Sequence, residues 1–181
     1  YEFLPFKKII SINNINNASI VNLIKDERPD VILTFGCGIL KDPYFFEVPK
    51  VGIINLHRGI IPQYRGVDNV FWCIHNNEIE QIGATIHLID KKIDMGNIIA
   101  QVKTNFDTVV DSEASAFNKT ILKGILRYVK ILKEINDKGR IKSHRVKQKG
   151  NLYQEKDRTI FSDMRALINL VKIKRRKSEP R

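Results

Sequence analysis

The 181-residue sequence has little cysteine and no long hydrophobic run. Its two cysteines, Cys37 and Cys73, are too few for a disulfide framework or a structural zinc site. The longest apolar stretch, residues 31–40, is half as long as the ~20 residues that a membrane helix needs. The first five residues have neither the basic leader nor the small-residue cleavage site of a signal peptide. We therefore expect a cytoplasmic protein in a reducing setting, with no metal site.

Basic residues are abundant but unevenly placed. The formal net charge is +11, and residues 140–181, with 14 basic and 4 acidic residues, carry +10 of it. We therefore divide the chain into a nearly neutral body, residues 1–139, and a basic extension, residues 140–181. The extension is predicted to be a solvated end that is dispensable for chemistry, with contact to RNA or another polyanion as the alternative.

The hydrophobic pattern alternates between short apolar runs and helical periodicity, which is typical of an α/β protein with a doubly wound, mostly parallel sheet. The run Val31–Phe35 has no polar alternation, so a strand buried on both faces is predicted there. Further strands are predicted at 6–12, 51–55, 82–90 and 98–102. Helices are predicted after Asn16 or Asn17, at 67–77, from Asp111 or Ser112 to Gly139, and after Ser162.

Two of these helices have apolar stripes that should pack against something. In the long helix the stripe is Phe117, Ile121, Ile125, Val129 and Leu132. In the last helix it is Met164, Leu167, Ile168 and Val171, which should contact the body or a partner.

Polar residues gather where predicted strands end, which is where open α/β sheets bind ligands. Gly36–Gly38 follows one strand, and its glycines allow close approach of a ligand to the backbone. Asn55 and His57 lie two residues apart on an extended segment, so they point the same way. Asp94 lies in a tight loop before Gly96. Each feature alone also has an ordinary structural explanation in turn chemistry.

Together these segments resemble the formyltransferase family that uses 10-formyltetrahydrofolate. The resemblance is carried by three blocks in order, between about Ile12 and Val102. They are Asn55-Leu56-His57-Arg58-Gly59-Ile60-Ile61-Pro62, then Gly83-Ala84-Thr85-Ile86-His87, then Ile93-Asp94-Met95-Gly96. Glycinamide ribonucleotide, methionyl-tRNA and amino-sugar N-formyltransferases belong to this family, whose fold is a Rossmann-like doubly wound sheet.

The resemblance implies a role for each matching residue. The family's catalytic Asn, His and Asp match Asn55, His57 and Asp94. The residues expected to face the folate are Cys37, Gly38, Ile39, Leu40, Gly59, Ile60, Ile61, Pro62, Asp90, Lys91, Lys92 and Ile93. Arg58, Tyr64 and Trp72 are expected to face the substrate, with Arg58 near an anionic group. Gly59 departs from the family's usual Ser.

The implied reaction is attack of a primary amine on the formyl carbon of the cosubstrate. Amide and imidazolium donors, here Asn55 and His57, would stabilise the oxyanion, an effect often worth about 3–4 kcal/mol per donor. Asp94 is expected to keep His57 charged and to take the proton that the amine loses.

The acceptor is expected to be an amino sugar nucleotide, because Phe71-Trp72 follows Arg65-Gly66 in place of the pattern of tRNA-type enzymes. Alternatives are methionyl-tRNA or glycinamide ribonucleotide as acceptor, a formyltetrahydrofolate hydrolase, and a non-catalytic polyanion-binding fragment. A homodimer is also possible. Relative to the family pattern, the first βα units are missing before Tyr1, so we expect an N-terminally incomplete domain.

Overall fold

Strands and helices alternate along the chain, as the hydrophobic pattern predicts. The computed structural model describes residues 10–41, 44–90, 94–145 and 149–178. The helices are α1 (Ala18–Glu27), α2 (Tyr44–Glu47), α3 (Asn69–His75), α4 (Glu113–Lys138) and α5 (Ile160–Ser178). The strands are β1 (Val31–Phe35), β2 (Gly52–His57), β3 (Tyr64–Gly66), β4 (Gly83–Leu88), β5 (Ile98–Lys103) and β6 (Asn151–Tyr153). Of the predicted strand at 6–12, residues 10–12 are not in a strand and the rest lie outside the described residues.

The main sheet has the strand order β1-β2-β4-β5. β1 and β2 are parallel, while β4 is antiparallel to both β2 and β5. Three of the four strands therefore run in one direction, as expected for a mostly parallel sheet. A second, two-stranded sheet pairs β3 with β6 in parallel.

Helices cover both faces of the main sheet, which confirms the doubly wound class. Val21 of α1 and Phe45 of α2 pack with Ile53 on one face. On the other face, α4 packs against Ile54 and Leu56. Since successive strand residues point to opposite faces, β2 is buried on both sides.

The α4 boundaries follow the predicted caps, but its buried face differs from the predicted stripe. Ser112 forms a reciprocal capping box with Ser115, and Gly139 ends the helix in the left-handed region, with φ 63°. Ile125 and Val129 of the predicted stripe are exposed. The buried face of the helix is rotated by about one residue from that stripe. Its members are Ala116, Thr120, Gly124, Tyr128, Ile131 and Ile135.

Two other burial predictions were wrong. β1 is an edge strand of the described sheet, so Leu33 and Phe35 are 39% and 46% exposed and the strand is not buried on both faces. In α5, the expected contact of Met164, Leu167, Ile168 and Val171 with the body is absent among the described residues, because the helix packs on α3 through another face, with Ala166 and Leu170 in the shared core. Contact of this exposed stripe with a partner stays a prediction. No helix within the described residues is long and apolar enough to cross a membrane.

Candidate active site

The carboxyl end of β2 brings Asn55 and His57 to the same side of the sheet. Leu56, between them, is 2% exposed and points into the core beneath α4. Gly124 makes this packing possible, because a Cβ at that position would lie 2.6 Å from a methyl group of Leu56. The helix therefore holds the strand through Leu56 while its two polar neighbours face the opposite way, as the sequence predicts.

Asp94 lies between two histidines, His57 and His87. Its Oδ2 is 3.3 Å from Nδ1 of His57, and its Oδ1 is 3.4 Å from Nε2 of His87. All three side chains are largely buried, with exposures of 6%, 3% and 11% for His57, His87 and Asp94. The sequence thus correctly placed Asp94 beside His57 but treated His87 as structural.

The backbone around Asp94 fixes the direction of its carboxylate. Asp94 has φ 48°, in the left-handed region that Asp and Asn tolerate better than most residues. Oδ2 accepts a hydrogen bond of 2.9 Å from the backbone N–H of Gly66, at the end of β3. Gly66 is therefore a positioning residue for this carboxylate.

In each histidine one ring nitrogen, here called the inner nitrogen, faces Asp94. The other, the outer nitrogen, lies within hydrogen-bond distance of a backbone carbonyl. Nε2 of His57 lies 2.8 Å from the carbonyl oxygen of Tyr64, and Nδ1 of His87 lies 2.8 Å from that of Leu88. Because a carbonyl only accepts, these outer nitrogens carry protons. The inner nitrogens face Asp94, so a histidine that carries a second proton donates a hydrogen bond to this carboxylate. The cluster is therefore built to hold a proton next to the carboxylate.

Burial controls the protonation of His57. Loss of solvation lowers the pKa of His57, and the nearby Asp94 carboxylate only partly offsets this. Burial alone would raise the pKa of Asp94, but hydrogen bonding from His87, the charge of His57 and the Gly66 N–H together lower it. Asp94 raises the pKa of His57, as expected, but burial lowers it by more, so the expectation that His57 stays charged is wrong: His57 favours its neutral form while Asp94 stays ionised.

Asn55 joins the same network. Its Oδ1 accepts a 2.9 Å hydrogen bond from the hydroxyl of Thr34, which fixes the amide orientation. Its Nδ2 lies 3.2 Å from Nε2 of His87. Since an amide nitrogen carries two protons, one remains to donate into the adjoining cleft.

A cleft of about 580 Å³ opens beside this network. It is lined by the strand-end residues Asn55, His57 and Asp94 and by the loop Gly36–Ile39. A Cβ at Gly36 or Gly38 would meet no atom within 4 Å, so this loop offers open backbone to a ligand. The structure therefore places Cys37, Gly38 and Ile39 next to the predicted catalytic residues.

The remaining residues expected to face the folate are distributed differently. Leu40 packs with the core beneath α1 and α2. Ile60 and Ile61 are buried, and the loop they form is tied internally: Thr85 Oγ1 donates to the Gly59 carbonyl and accepts from the Ile61 N–H. Gly59 is buried and Pro62 is partly buried in the same loop, Asp90 is exposed, and Lys91, Lys92 and Ile93 lie outside the described residues.

Two of the three predicted substrate contacts are core residues. Tyr64 and Trp72 are 1% and 5% exposed, and both stack on Tyr153, with ring centroids 5.7 and 4.5 Å apart. This packing corrects the prediction for both side chains, since neither reaches the cleft wall. Arg58 does line the cleft.

Two features of the site were missed from the sequence. His87 stands directly opposite Asn55 in the β2–β4 ladder, a pairing that the antiparallel register creates. The second is the segment Leu152–Lys156, which forms part of the cleft wall although it belongs to the basic extension. Within the described ranges there is no group of three or more His, Cys, Asp or Glu that could hold a metal ion.

Comparison with known proteins identifies relatives of this site and fold. A family model described as Formyl transferase matches residues 5–124, more than half of the chain. Methionyl-tRNA formyltransferase of Clostridioides difficile is 32% identical over 111 residues, covering 57% of this chain and 36% of that protein. GDP-perosamine N-formyltransferase of Brucella melitensis is 31% identical over 108 residues, covering 60% of this chain and 41% of that protein.

A solved structure is also similar. It is the formyltransferase PseJ from Anoxybacillus kamchatkensis, in complex with UDP-4,6-dideoxy-4-formamido-L-AltNAc and tetrahydrofolate. It matches with a TM-score of 0.57 and 27% identity, over 71% of this chain and 66% of that chain. The chain spans less than half the length of the curated relatives named above.

Proposed function

The chain belongs to the formyl transferase family, and from that premise we propose that it transfers a formyl group from 10-formyltetrahydrofolate to a primary amine of an amino sugar nucleotide. The observation that carries the proposal is the convergence of Asn55, His57 and Asp94 on one cleft beside the open Gly36–Ile39 loop. This is the set of residues that the family motif assigns to catalysis.

The cosubstrate supplies an activated formyl carbon, and the protein positions it and manages charge and protons. The free N–H of Asn55 donates to the formyl oxygen as negative charge develops there. Asp94, ionised and held by Gly66, accepts the proton that the attacking amine must lose. His57 and His87 then share that proton with Asp94, since their inner nitrogens both face the carboxylate.

This assignment gives His57 a different task from the one expected from the sequence. Its Nε2 proton is directed to the Tyr64 carbonyl, inside the protein. The group that remains free to stabilise the developing oxyanion is the amide of Asn55, while His57 supports Asp94. His57 therefore acts in proton transfer and in orienting the carboxylate.

The relatives support an amino sugar nucleotide as the acceptor. The Brucella relative is named for GDP-perosamine, and the PseJ structure contains a UDP-linked formamido sugar together with tetrahydrofolate. Methionyl-tRNA is the acceptor in the name of the Clostridioides relative, so the family alone does not select the acceptor. The cationic Arg58 on the cleft wall favours an acceptor that carries phosphate.

The experiment that tests this function follows release of tetrahydrofolate with and without candidate amines. We expect release to require the amine and to be fastest with amino sugar nucleotides. Release at the same rate without an amine would identify a hydrolase. Acceleration only by methionyl-tRNA or glycinamide ribonucleotide would reassign the acceptor, and no release under any condition would contradict the proposed activity.

A further inference from the structure

The basic extension reaches the candidate active site through β6. This strand pairs with β3 along Tyr64–Gly66, and the Val67 N–H donates to the Tyr153 carbonyl at 3.0 Å. A Cβ at Gly66 would lie only 2.0 Å from that carbonyl, so the two strands are in close backbone contact. Because Gly66 also donates to Asp94, β6 is attached directly to the element that holds the catalytic carboxylate.

The turn after β6 is fixed at both ends. The Gln154 N–H donates to the Asp157 carboxylate at 2.8 Å, and the Asp157 N–H donates back to the Gln154 carbonyl at 2.9 Å. Arg158 follows, with its guanidinium 3.9 Å from the centre of the Phe71 ring. That guanidinium also forms ion pairs with Asp68, Glu113 and Asp163. The turn is therefore held in place while its exposed residues 154–156 line the cleft.

Lys156 of this turn presents one cation to the cleft, and Arg58 presents a second. Its guanidinium lies 4.6 Å from the centre of the Phe117 ring and 5.8 Å from that of Phe35. The two rings restrict the side chain without neutralising it. Among the residues that the structure describes, neither Arg58 nor Lys156 forms an ion pair with a carboxylate.

The acidic groups of the cleft do not cancel these cations. Asp94 is largely buried and its oxygens are directed to two histidines and Gly66. Glu155 is exposed on the same turn as Lys156, so at this rim it is the one described carboxylate free to repel an anion. An anionic ligand therefore meets Arg58 and Lys156 as available donors.

We propose that Arg58 and Lys156 bind the phosphate groups of the acceptor, and that the turn 154–156 is the element that recognises this part of the substrate. The inference rests on the proposed function, because it assigns the acceptor of that same cleft. Guanidinium and ammonium groups are the usual protein donors to phosphate, and because the turn is already fixed, binding at Lys156 does not have to order its backbone.

Steady-state kinetics of R58Q and K156Q test the proposal. We expect the KM for the amino sugar nucleotide to rise about tenfold in each variant, the loss expected for one charge-assisted hydrogen bond. The turnover number and the KM for 10-formyltetrahydrofolate should stay near those of the parent. K142Q is the matched control, since Lys142 is an exposed lysine of the same extension that does not line this cleft. Unchanged acceptor KM in both R58Q and K156Q would overturn the proposal.

Direct binding separates failure of this inference from failure of the proposed function. Calorimetric titrations with UDP, dTDP, GDP and inorganic pyrophosphate need no turnover. We expect at least one of these probes to bind the parent chain and to bind R58Q and K156Q about tenfold more weakly. Absence of binding to the parent, or equal binding by the parent and both variants with intact folding, would overturn the phosphate site even if formyl transfer is observed. Weakened binding without formyl transfer would keep the phosphate site and reject the activity.

Discussion

Asp94 is the residue whose chemistry distinguishes a catalytic from a structural account of the site. Asp94→Asn keeps the side-chain volume, and Asn also tolerates the left-handed backbone at this position. The amide cannot accept the amine's proton, so we expect the turnover number to fall about 100-fold or more, with the KM for folate nearly unchanged. Steady-state kinetics with both substrates varied measure this split.

The matched control for that experiment is Asp26→Asn, on the exposed side of α1, which should leave both constants at parental values. If Asp94→Asn retains a turnover number within about threefold of the parent, Asp94 only shapes its turn. The family assignment would then stand, but the proton-transfer role would have to be given up.

Burial of His57 predicts a specific dependence of stability on pH. Burial lowers the pKa of His57 in the folded state below the ordinary value of about 6.5, so the unfolded chain binds this proton more readily. The free energy of unfolding should therefore decrease as the pH falls below about 6.5, by about 1.4 kcal/mol for each unit by which the pKa is lowered. Denaturant titrations between pH 7.5 and 5.5 measure it. His57→Gln removes this titration and should flatten the curve, whereas identical slopes in both proteins would contradict the account.

Much of the candidate site could be predicted at the scale of residues, because it depends on local spacing. Asn55 and His57 share a side through strand alternation alone. His87 and Asn55 are neighbours only through the β2–β4 register, and nothing in the local sequence of His87 indicates this pairing. The direction of the His57 pKa depends on burial by distant segments, so the sequence favoured the charged form incorrectly.

At the scale of elements, α4 shows that a helix can make its closest contact with a sheet through a small residue. The predicted stripe used the largest apolar side chains, but the buried face includes the small residues Ala116, Thr120 and Gly124, and Gly124 is the one that meets Leu56 of the sheet. Periodicity locates a helix and its caps well, yet it does not identify which of two adjacent faces packs. That choice depends on the shape of the sheet surface, here on Leu56.

Gly124→Leu tests this packing. Leu has a higher helix propensity than Gly, so any destabilisation must come from crowding against Leu56. We expect a loss of about 1–3 kcal/mol in the free energy of unfolding, accompanied by lower turnover because Leu56 lies between Asn55 and His57. Lys130→Leu introduces the same side chain on the exposed side of α4 and should leave stability and turnover near parental values. Equal stabilities of the two variants would rule out close packing at Gly124.

At the scale of the whole molecule, the extension is part of the fold. The division at residue 139 follows the charge distribution, but β6 pairs with β3 and α5 packs on α3. Tyr153 of the extension covers both Tyr64 and Trp72. The sequence could not predict this, because the pairing joins segments that are distant along the chain and β6 is only three residues long.

Truncation after Gly139 should therefore destabilise the protein, even if the extension is dispensable for chemistry. Loss of Tyr153 and Ala166 exposes Trp72 and Tyr64, and removing cover from large buried aromatic residues costs several kcal/mol. Thermal unfolding should show a clear decrease in Tm, or no cooperative transition. A chain ending after Arg175 keeps the buried Ile173 and should unfold near the parental Tm. A parental Tm for the protein truncated after Gly139 would show that the extension is independent of the body.

The most direct test of the account follows a ¹³C-labelled formyl group from 10-formyltetrahydrofolate by mass spectrometry in the presence of an amino sugar nucleotide. The parent chain should place the label on the sugar amine, and Asp94→Asn should form this product at least about 100-fold more slowly. Recovery of the label only as formate, or equal product formation by the two proteins, would contradict the assignment of this cleft as a formyl-transfer site in which Asp94 accepts the amine's proton.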